Sequence, residues 1–184
     1  PTMSTQLIAQ SAGRQAQGKL SDSYRTPPWL FEWLDNEYDF DFDICASDEN
    51  HLLSKYYTEE NTSIGKDWSE LGSVGFCNPP FSHGSKEKFL AEAYRNLIEN
   101  QVSSVFLIPS DVSNEFWLDH ILGKATKITV IVGRVKFYDP ATNEQSKHGL
   151  GCAIVEFMHD EDAVNGIDHF VRRDDVRELI ESKK

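Results

Sequence analysis

Short apolar segments alternate with helical patterns through the middle of this 184-residue sequence, and this alternation restricts the possible folds more than any other feature. Residues 74–77 (VGFC) and 103–110 (SSVFLIPS) are apolar runs of strand length. Between them, 86–100 (KEKFLAEAYRNLIEN) places residues such as Phe89 and Leu97 on one apolar stripe of a helix. The alternation predicts an α/β fold, with a mostly parallel central sheet and flanking helices.

The segments before this region extend the pattern. Residues 26–38 (TPPWLFEWLDNEY) predict a short amphipathic helix, and 40–46 (FDFDICA) predict a strand. Residues 47–57 (SDENHLLSKYY) have a serine that could cap a helix, followed by acidic residues, and predict a second helix.

The last third of the chain changes the pattern. Two strands are predicted at 127–140 and 149–158, with only a polar loop between them. A strand pair joined by a loop predicts an antiparallel edge on the sheet. Residues 162–184 are charged and predict a solvated closing helix.

The composition is that of an ordinary soluble protein, with 39% hydrophobic and 26% charged residues. No stretch approaches the roughly 18 consecutive apolar residues of a membrane helix, and the N-terminal segment lacks the apolar core of a secretory signal. We therefore expect a cytoplasmic protein with no membrane association. It would consist of a flexible tail over residues 1–20 and a single domain over 21–184.

The cysteines and histidines do not suggest a metal site. Cys45, Cys77 and Cys152 are widely separated, and each lies in an apolar segment, as buried free thiols do. The six histidines show no ligand spacing such as H-x-x-x-H. We expect no bound metal.

The segment GFCNPPFSHGS (75–85) places two prolines between an asparagine and a phenylalanine, directly after a predicted strand. A proline at a strand end can simply stop the sheet. A chemical interpretation is also available, because the Asn78 side-chain oxygen and the Pro79 backbone carbonyl are two acceptors side by side. Pro80 restricts Pro79 to extended conformations and so limits where that carbonyl points.

Two adjacent acceptors suit the activation of an aromatic amine such as the exocyclic amine of adenine. The nitrogen lone pair is delocalised into the ring, so the amine must become more nearly tetrahedral before it attacks a methyl group. Acceptors for both N–H hydrogens favour that geometry and stabilise the developing positive charge. Phe81 could then stack on a base turned out of its duplex.

The strand DFDICAS offers a place for the methyl donor. Asp43 lies at the predicted strand end, with the small residues Ala46 and Ser47 just beyond it. A carboxylate there could hold the ammonium group of a bound methionine moiety. An aspartate in an ordinary strand-to-helix turn is the alternative. The sequence contains no G-x-G-x-x-G motif and no phosphate loop, which disfavours dinucleotides and ATP.

Seven pieces in order, TPPWLFEWL, FDFDICASDEN, YYT, DW, CNPPF, LIPSD and GRVKF, resemble the phage-type (Dam-like) DNA N6-adenine methyltransferases over roughly residues 26–157. The resemblance implies a Rossmann-like class I methyltransferase fold that uses S-adenosylmethionine and acts on double-stranded DNA. The residues that match the family's catalytic motif are Asn78, Pro79, Pro80 and Phe81. The residues that match its donor-binding elements are Thr26, Pro27, Asp43, Cys45, Ala46, Ser47, Asp67 and Trp68.

The chain departs from larger members of that family at the donor site. Their glycine-rich F-x-G-x-G pattern is replaced by C-A-S, so the donor contacts must differ in detail. Glu59 and Glu60 are candidates for holding the donor ribose, although surface charge explains them equally well. No separate target-recognition domain can be found, so short or relaxed target sequences are expected.

A net charge of −12 is unfavourable for a protein that binds nucleic acid, because phosphate contacts dominate that affinity. A globally acidic chain can still present a local basic face. Arg134 and Lys136 in GRVKF, with Lys147 in the polar loop 141–148, are the candidates for phosphate contacts. A strand with two exposed cations is the alternative interpretation.

The predicted function is transfer of a methyl group to the N6 amine of adenine in DNA. The same acceptor geometry would serve cytosine N4 or a glutamine amide in a protein, and the acidic charge suits a protein acceptor better. A non-enzymatic acidic protein that mimics DNA is an alternative from another class. The placement of both motifs directly after alternating strands argues against that mimic.

Overall fold

The structure is a computed structural model that describes residues 24–80, 82 and 84–184. The tail predicted for residues 1–20 and the motif residue Phe81 lie outside the described residues. The helices are α1 (Pro28–Tyr38), α2 (Ser85–Asn100) and α3 (Arg173–Glu181), with a 3-10 turn at Trp68–Glu70 and a π-helical turn at Trp117–Ile121. The strands are β1 (Phe42–Asp43), β2 (Val74–Cys77), β3 (Ser103–Pro109), β4 (Lys127–Val135), β5 (Leu150–Phe157) and β6 (His169–Arg172).

The six strands form one mixed sheet in the order β1-β2-β3-β5-β4-β6. The pairs β1–β2, β2–β3 and β4–β6 are parallel, and β5 is antiparallel to both of its neighbours. The predicted antiparallel edge is therefore wrong in its position. β5 forms a hairpin with β4 and also pairs with β3, so the antiparallel strand lies inside the sheet and β6 forms the edge.

Helices cover both faces of the sheet. Because side chains alternate along a strand, Val105 and Leu107 of β3 face the cluster that contains α1 and α3, while Phe106 and Ile108 face the cluster with α2. The apolar stripe predicted for 86–100 lies against the second face through Leu90, Ala93 and Leu97. No helix in the described part of the chain is both long enough and apolar enough to cross a membrane.

Two predicted helices differ from the structure. Residues 47–57 contain only bends and an isolated bridge, because the Asn50 N–H is satisfied by Ser47 in a tight turn and Tyr56 then runs beside β1. The closing helix is interrupted, since His169–Arg172 forms the edge strand β6 before α3 begins at Arg173. The other predicted elements are present, with the strand at 40–46 reduced to Phe42–Asp43.

The β4–β5 pairing contains an irregularity that is relevant to function. The register shifts between Ile131 and Val135, and Gly133 has a φ of 106°. A β-bulge bends its strand and changes the direction of its side chains. Arg134 follows this glycine and is exposed, at the same edge of the sheet as the ends of β2 and β3.

Candidate functional site

A cavity of about 730 Å³ lies at the carboxyl ends of β1 and β2. This volume is in the range of small-molecule sites, and the carboxyl ends of parallel strands are where α/β sheets bind ligands. The lining comes from the segment after Tyr24, the segment after β1, the loop 58–64, the NPPF motif and the start of α2. It includes Arg25, Thr26, Asp43, Ile44, Cys45, Ala46, Ser47, Asp48, Glu49, Glu59, Glu60, Asn78, Pro80, Ser85 and Lys88.

Asp43 is the buried acidic group of this cavity, with 4% of its surface exposed. Its Oδ2 accepts a hydrogen bond from the Leu52 backbone N–H at 3.2 Å. Burial raises the pKa of Asp43 to about 7, and the backbone N–H groups of Leu52 and Cys45 and the charge of nearby His51 oppose that rise only in part. Asp43 is therefore a site where a cationic ligand would be strongly favoured.

The segment after β1 is shaped by pairing rather than by a helix. Asp43 and Tyr57 are joined by a backbone hydrogen bond of 2.9 Å, and the Ala46 N–H donates to the Tyr57 carbonyl at 3.0 Å. The chain therefore returns alongside β1 and continues directly into the loop that carries Glu59 and Glu60. This return path brings both glutamates to the cavity, although they lie more than a dozen residues from Asp43 in sequence.

Asn78 lies directly after β2, and its side chain is held by Thr26. The Nδ2 atom of Asn78 donates a hydrogen bond to the Thr26 Oγ1 at 3.0 Å. Both residues line the cavity. An asparagine amide has a donor end and an acceptor end, so a bond to Nδ2 leaves Oδ1 as the acceptor for another group.

The segment before Thr26 connects the cavity to the strand GRVKF. Arg25 and Tyr138 exchange two backbone hydrogen bonds, of 2.8 and 3.0 Å. Arg25 also donates from Nη2 to the Glu49 carbonyl at 2.8 Å. The backbone just after GRVKF is thus paired with the residue that precedes Thr26.

The predicted basic residues belong to the end of β4 and the loop that follows it. Arg134, Lys136 and Lys147 are exposed. Arg134 donates from Nη1 to the Gly149 carbonyl at 3.2 Å, which places it close to the loop that carries Lys147. Arg173 donates from Nη1 to the Arg134 carbonyl at 2.7 Å and adds a cation that sequence reasoning did not select.

Four of the described residues predicted for catalysis or donor binding do not line the cavity. Trp68 is fully buried, and its Nε1 donates to the Ser63 carbonyl at 2.9 Å. Asp67 is exposed and accepts from Ser69. Pro27 and Pro79 are buried beside lining residues. The structure brings together Thr26, Asp43, Cys45, Ala46, Ser47, Asn78 and Pro80, and it places Asp67 and Trp68 elsewhere.

The lining is predominantly acidic. It contains five carboxylates, from Asp43, Asp48, Glu49, Glu59 and Glu60, and two cations, from Arg25 and Lys88. Sequence reasoning missed the two cations, because neither belongs to a motif and their approach depends on the path of the loops. Among the described residues, no group of three or more His, Cys, Asp or Glu side chains could hold a metal ion.

Comparison with known proteins gives a match over nearly the whole chain. The sequence model of a family described as DNA N-6-adenine-methyltransferase (Dam) matches residues 13–180. This range includes all the lining residues of the cavity and the exposed basic residues described above.

The chain is also similar to individual curated proteins, over a smaller part of its length. The chain is 27% identical to the DNA N-6-adenine-methyltransferase of Haemophilus phage HP1 (strain HP1c1) over 128 residues, which cover 68% of this chain and 71% of that protein. It is 25% identical to the DNA N-6-adenine-methyltransferase of Escherichia phage T1 over 123 residues, covering 64% of this chain and half of the T1 protein. A putative methyltransferase of Escherichia coli (strain K12), YfdM, is 31% identical over 68 residues, which cover 34% of this chain and 75% of that protein.

Proposed function

The chain belongs to the DNA N-6-adenine-methyltransferase (Dam) family, and from this premise we propose that it transfers a methyl group from S-adenosylmethionine to the N6 amine of adenine in DNA. The observation that carries the proposal is the position of Asn78. Its amide lines the same cavity as the buried carboxylate of Asp43, with the donor end of the amide hydrogen-bonded to Thr26. An acceptor for an amine and a site for a cation therefore occur together.

The cavity fits S-adenosylmethionine by its charge and its size. Burial raises the pKa of the Asp43 carboxyl, and neither the backbone N–H groups nor nearby His51 offset that rise in full. The donor carries an ammonium group and a sulfonium, both of which suit an acidic lining. We assign the ammonium contact to Asp43, close contacts to Cys45, Ala46 and Ser47, and the ribose contact to Glu59 or Glu60.

The donor supplies an electrophilic methyl group, and the chain's own residues prepare the amine that receives it. The Oδ1 atom of Asn78 accepts one N–H hydrogen of adenine and stabilises the positive charge that forms on nitrogen. The backbone carbonyl of Pro79 is the second proposed acceptor. The proton leaves N6 after methyl transfer, so no general base is required beforehand. Phe81 remains the sequence-based candidate for stacking on the base.

The sheet supports a Rossmann-like class I methyltransferase fold. β1, β2 and β3 are consecutive parallel neighbours, and both motifs follow the carboxyl ends of the first two. The target adenine must leave the duplex to reach this cavity. We assign the phosphate contacts beside it to Arg134, Lys136 and Lys147, which are exposed at the same edge of the sheet.

The test is Asn78→Ala assayed with donor labelled in its methyl group. We expect label to enter DNA with the wild-type chain, and turnover to fall by about 10²-fold or more with Asn78→Ala, as for the loss of one transition-state contact. Donor affinity measured by calorimetry should change little. Asn36→Ala makes the same chemical change at an exposed position of α1 and should retain full turnover.

The choice of substrates in this assay separates the rival functions. Duplex DNA, a protein mixture and DNA lacking adenine are offered to the same enzyme. Label found only in protein would replace N6 of adenine by a glutamine amide. Label that enters DNA lacking adenine as well as ordinary duplex DNA would replace it by cytosine N4. No donor binding up to millimolar concentration would favour the DNA mimic suggested by the net charge of −12.

A further inference from the structure

Thr26 occupies an unusual position for a donor-binding residue. It is 4% exposed, and the hydrogen bond that joins it to Asn78 spans 52 positions in sequence. Its hydroxyl thus contacts the residue to which the proposed function assigns the chemistry.

The orientation of an asparagine amide decides what it can do. The oxygen and the nitrogen end have nearly the same shape, but the first accepts hydrogen bonds and the second donates them. An amine substrate needs an acceptor for its N–H hydrogen. If the Asn78 amide were rotated by half a turn, its N–H group would face the N–H of the substrate amine. The amide would then offer no acceptor, and it would oppose the geometry that makes the amine nucleophilic.

Thr26 is held rigidly beside this amide and accepts from its nitrogen end. A threonine side chain is restricted at χ1 by its branched Cβ. The backbone on one side is fixed by the paired hydrogen bonds between Arg25 and Tyr138. On the other side, the Pro27 carbonyl accepts from Leu30 and Phe31 in the first turn of α1. The hydroxyl is therefore held in a fixed place, where it accepts the hydrogen bond from Asn78 Nδ2.

We propose that Thr26 is a positioning residue that holds the Asn78 amide with its carbonyl oxygen toward the amine substrate. This inference rests on the proposed function, because it assigns Thr26 a role in the same reaction. It differs from the interpretation of Thr26 as a contact to the methionine end of the donor. The two roles predict different kinetic behaviour.

The test compares Thr26→Val, which keeps the shape and removes the hydroxyl, with Thr26→Ser, which keeps the hydroxyl. We expect Thr26→Val to lower kcat by at least tenfold, with the donor Kd and the KM for DNA within twofold of wild type. Thr26→Ser should remain within threefold of wild type in kcat. A Thr26→Val enzyme with wild-type kcat at saturating donor overturns the proposal, whether or not donor binding weakens.

A double variant tests whether Thr26 acts through Asn78. Adding Thr26→Val to Asn78→Ala should lower kcat by less than twofold beyond Asn78→Ala alone, because the amide to be positioned is already absent. A further tenfold loss would give Thr26 an independent role and overturn the positioning assignment.

A measurement on the unaltered chain covers the case in which Thr26→Val does not fold. The side-chain N–H hydrogens of Asn78 should exchange with water at least tenfold more slowly than those of exposed Asn36 in nuclear magnetic resonance spectra. Equal exchange would overturn the proposal. Failure of the proposed function is recognised separately, since the wild-type chain would then transfer no methyl group to adenine.

Discussion

The burial of Asp43 determines its pKa and, with it, the charge of the ligand that it can bind. The residue lies at the end of a two-residue strand, is almost completely buried, and accepts a backbone hydrogen bond from Leu52. Burial outweighs the backbone hydrogen bonds and the charge of nearby His51, which explains why its pKa is about 7 instead of 3.8. A cationic ligand would supply the missing charge and lower that pKa, so ligand binding releases a proton below pH 7.

Donor affinity should therefore depend on pH through Asp43. Between pH 5.5 and 7 the donor's α-amino group stays protonated, since α-amino groups titrate near 7.7 to 8.0. Over this interval the fraction of ionised Asp43 rises, and we expect the affinity for S-adenosylmethionine to increase roughly tenfold. Calorimetry in buffers of different ionisation enthalpy should detect a released proton at the lower pH. Asp43→Asn should bind weakly with no such increase, and a flat wild-type profile would contradict the assignment.

The same residue predicts a trend in the stability of the free protein. A raised pKa means that the folded state keeps a proton that the unfolded chain has lost. The stabilising contribution of Asp43 to the free energy of unfolding is therefore largest below about pH 4. Between about pH 4 and pH 7 it decreases by about 1.4 kcal/mol per pH unit. Urea unfolding at pH 5 and pH 7 should show a steeper loss for wild type than for Asp43→Asn.

At the residue scale, the sequence indicated which side chains suit the proposed reaction. It did not indicate which of these side chains contact one another. Asn78 and Asp43 could be selected because their residue types and their positions after predicted strands suit an amine and an ammonium group. The bond from Asn78 to Thr26 joins residues 52 positions apart, and no local pattern encodes it. Trp68 was selected by its place in the family order, but its indole is buried in the core and donates to Ser63.

Among the elements, helix α2 supports one wall of the cavity through a buried polar network. Asn96 is fully buried; its Oδ1 accepts from the Trp68 backbone N–H at 2.9 Å, and its Nδ2 donates to the Lys66 carbonyl at 3.3 Å. Trp68 in turn donates to the Ser63 carbonyl at 2.9 Å. This network anchors the loop that carries the lining residues at 58–64.

Asn96→Leu should destabilise the fold while leaving the helix pattern intact. The change preserves approximate side-chain size but leaves the buried Trp68 N–H without its acceptor, whereas the Lys66 carbonyl keeps its hydrogen bond from Arg95. We expect the free energy of unfolding in urea to fall by roughly 1 to 3 kcal/mol. Asn36→Leu on the exposed side of α1 should change it by about 0.5 kcal/mol or less. An equal small effect at both positions would show that the network is not stabilising.

The elements that sequence patterns predicted correctly are those with a strong apolar period, such as α2 and β3. The helix predicted at 47–57 is absent from the structure, for one local reason and one tertiary reason. Ser47 satisfies Asn50 in a turn, and Tyr56 joins the free side of β1. Serine followed by acidic residues favours turns as well as helix starts, and only the available strand edge decides between them.

For the whole molecule, the main question is how a chain of net charge −12 approaches DNA. The cations nearest the proposed phosphate path are gathered from three elements: Arg134 from the bulged end of β4, Lys147 from the following loop, and Arg173 from the start of α3. The acidic lining lies inside the cavity, where a cationic donor would offset part of its charge.

Arg134→Ala should weaken DNA binding and reduce its dependence on salt. Loss of one phosphate contact lowers the slope of log affinity against log salt concentration by about one. Lys183→Ala removes the same charge beyond the end of α3, roughly 15 Å along the helix axis from Arg173, and should leave the slope unchanged. Fluorescence anisotropy with a short duplex at several salt concentrations measures both. Equal slopes for wild type and Arg134→Ala would place the phosphate contacts elsewhere.

The overall architecture was predictable as an α/β fold, because strand and helix patterns alternate along the chain. The place of β5 was not predictable from that pattern. A loop between 127–140 and 149–158 indicates only that the two strands can pair with each other. The second partner of β5 is β3, which ends more than forty residues earlier in the chain, and packing on both faces of the sheet determines that choice.

The internal position of β5 has a consequence for how the protein is made. In the sheet, β3 and β4 share no neighbouring strand other than β5. The half that carries the NPPF motif and the half that carries GRVKF therefore remain separate within the sheet until Leu150–Phe157 has left the ribosome. A nascent chain of 145 residues already contains both motifs and the cations of GRVKF. It would nevertheless lack the strand that joins the two halves of the sheet, and contacts outside the sheet, such as the backbone pair of Arg25 and Tyr138, would have to connect them.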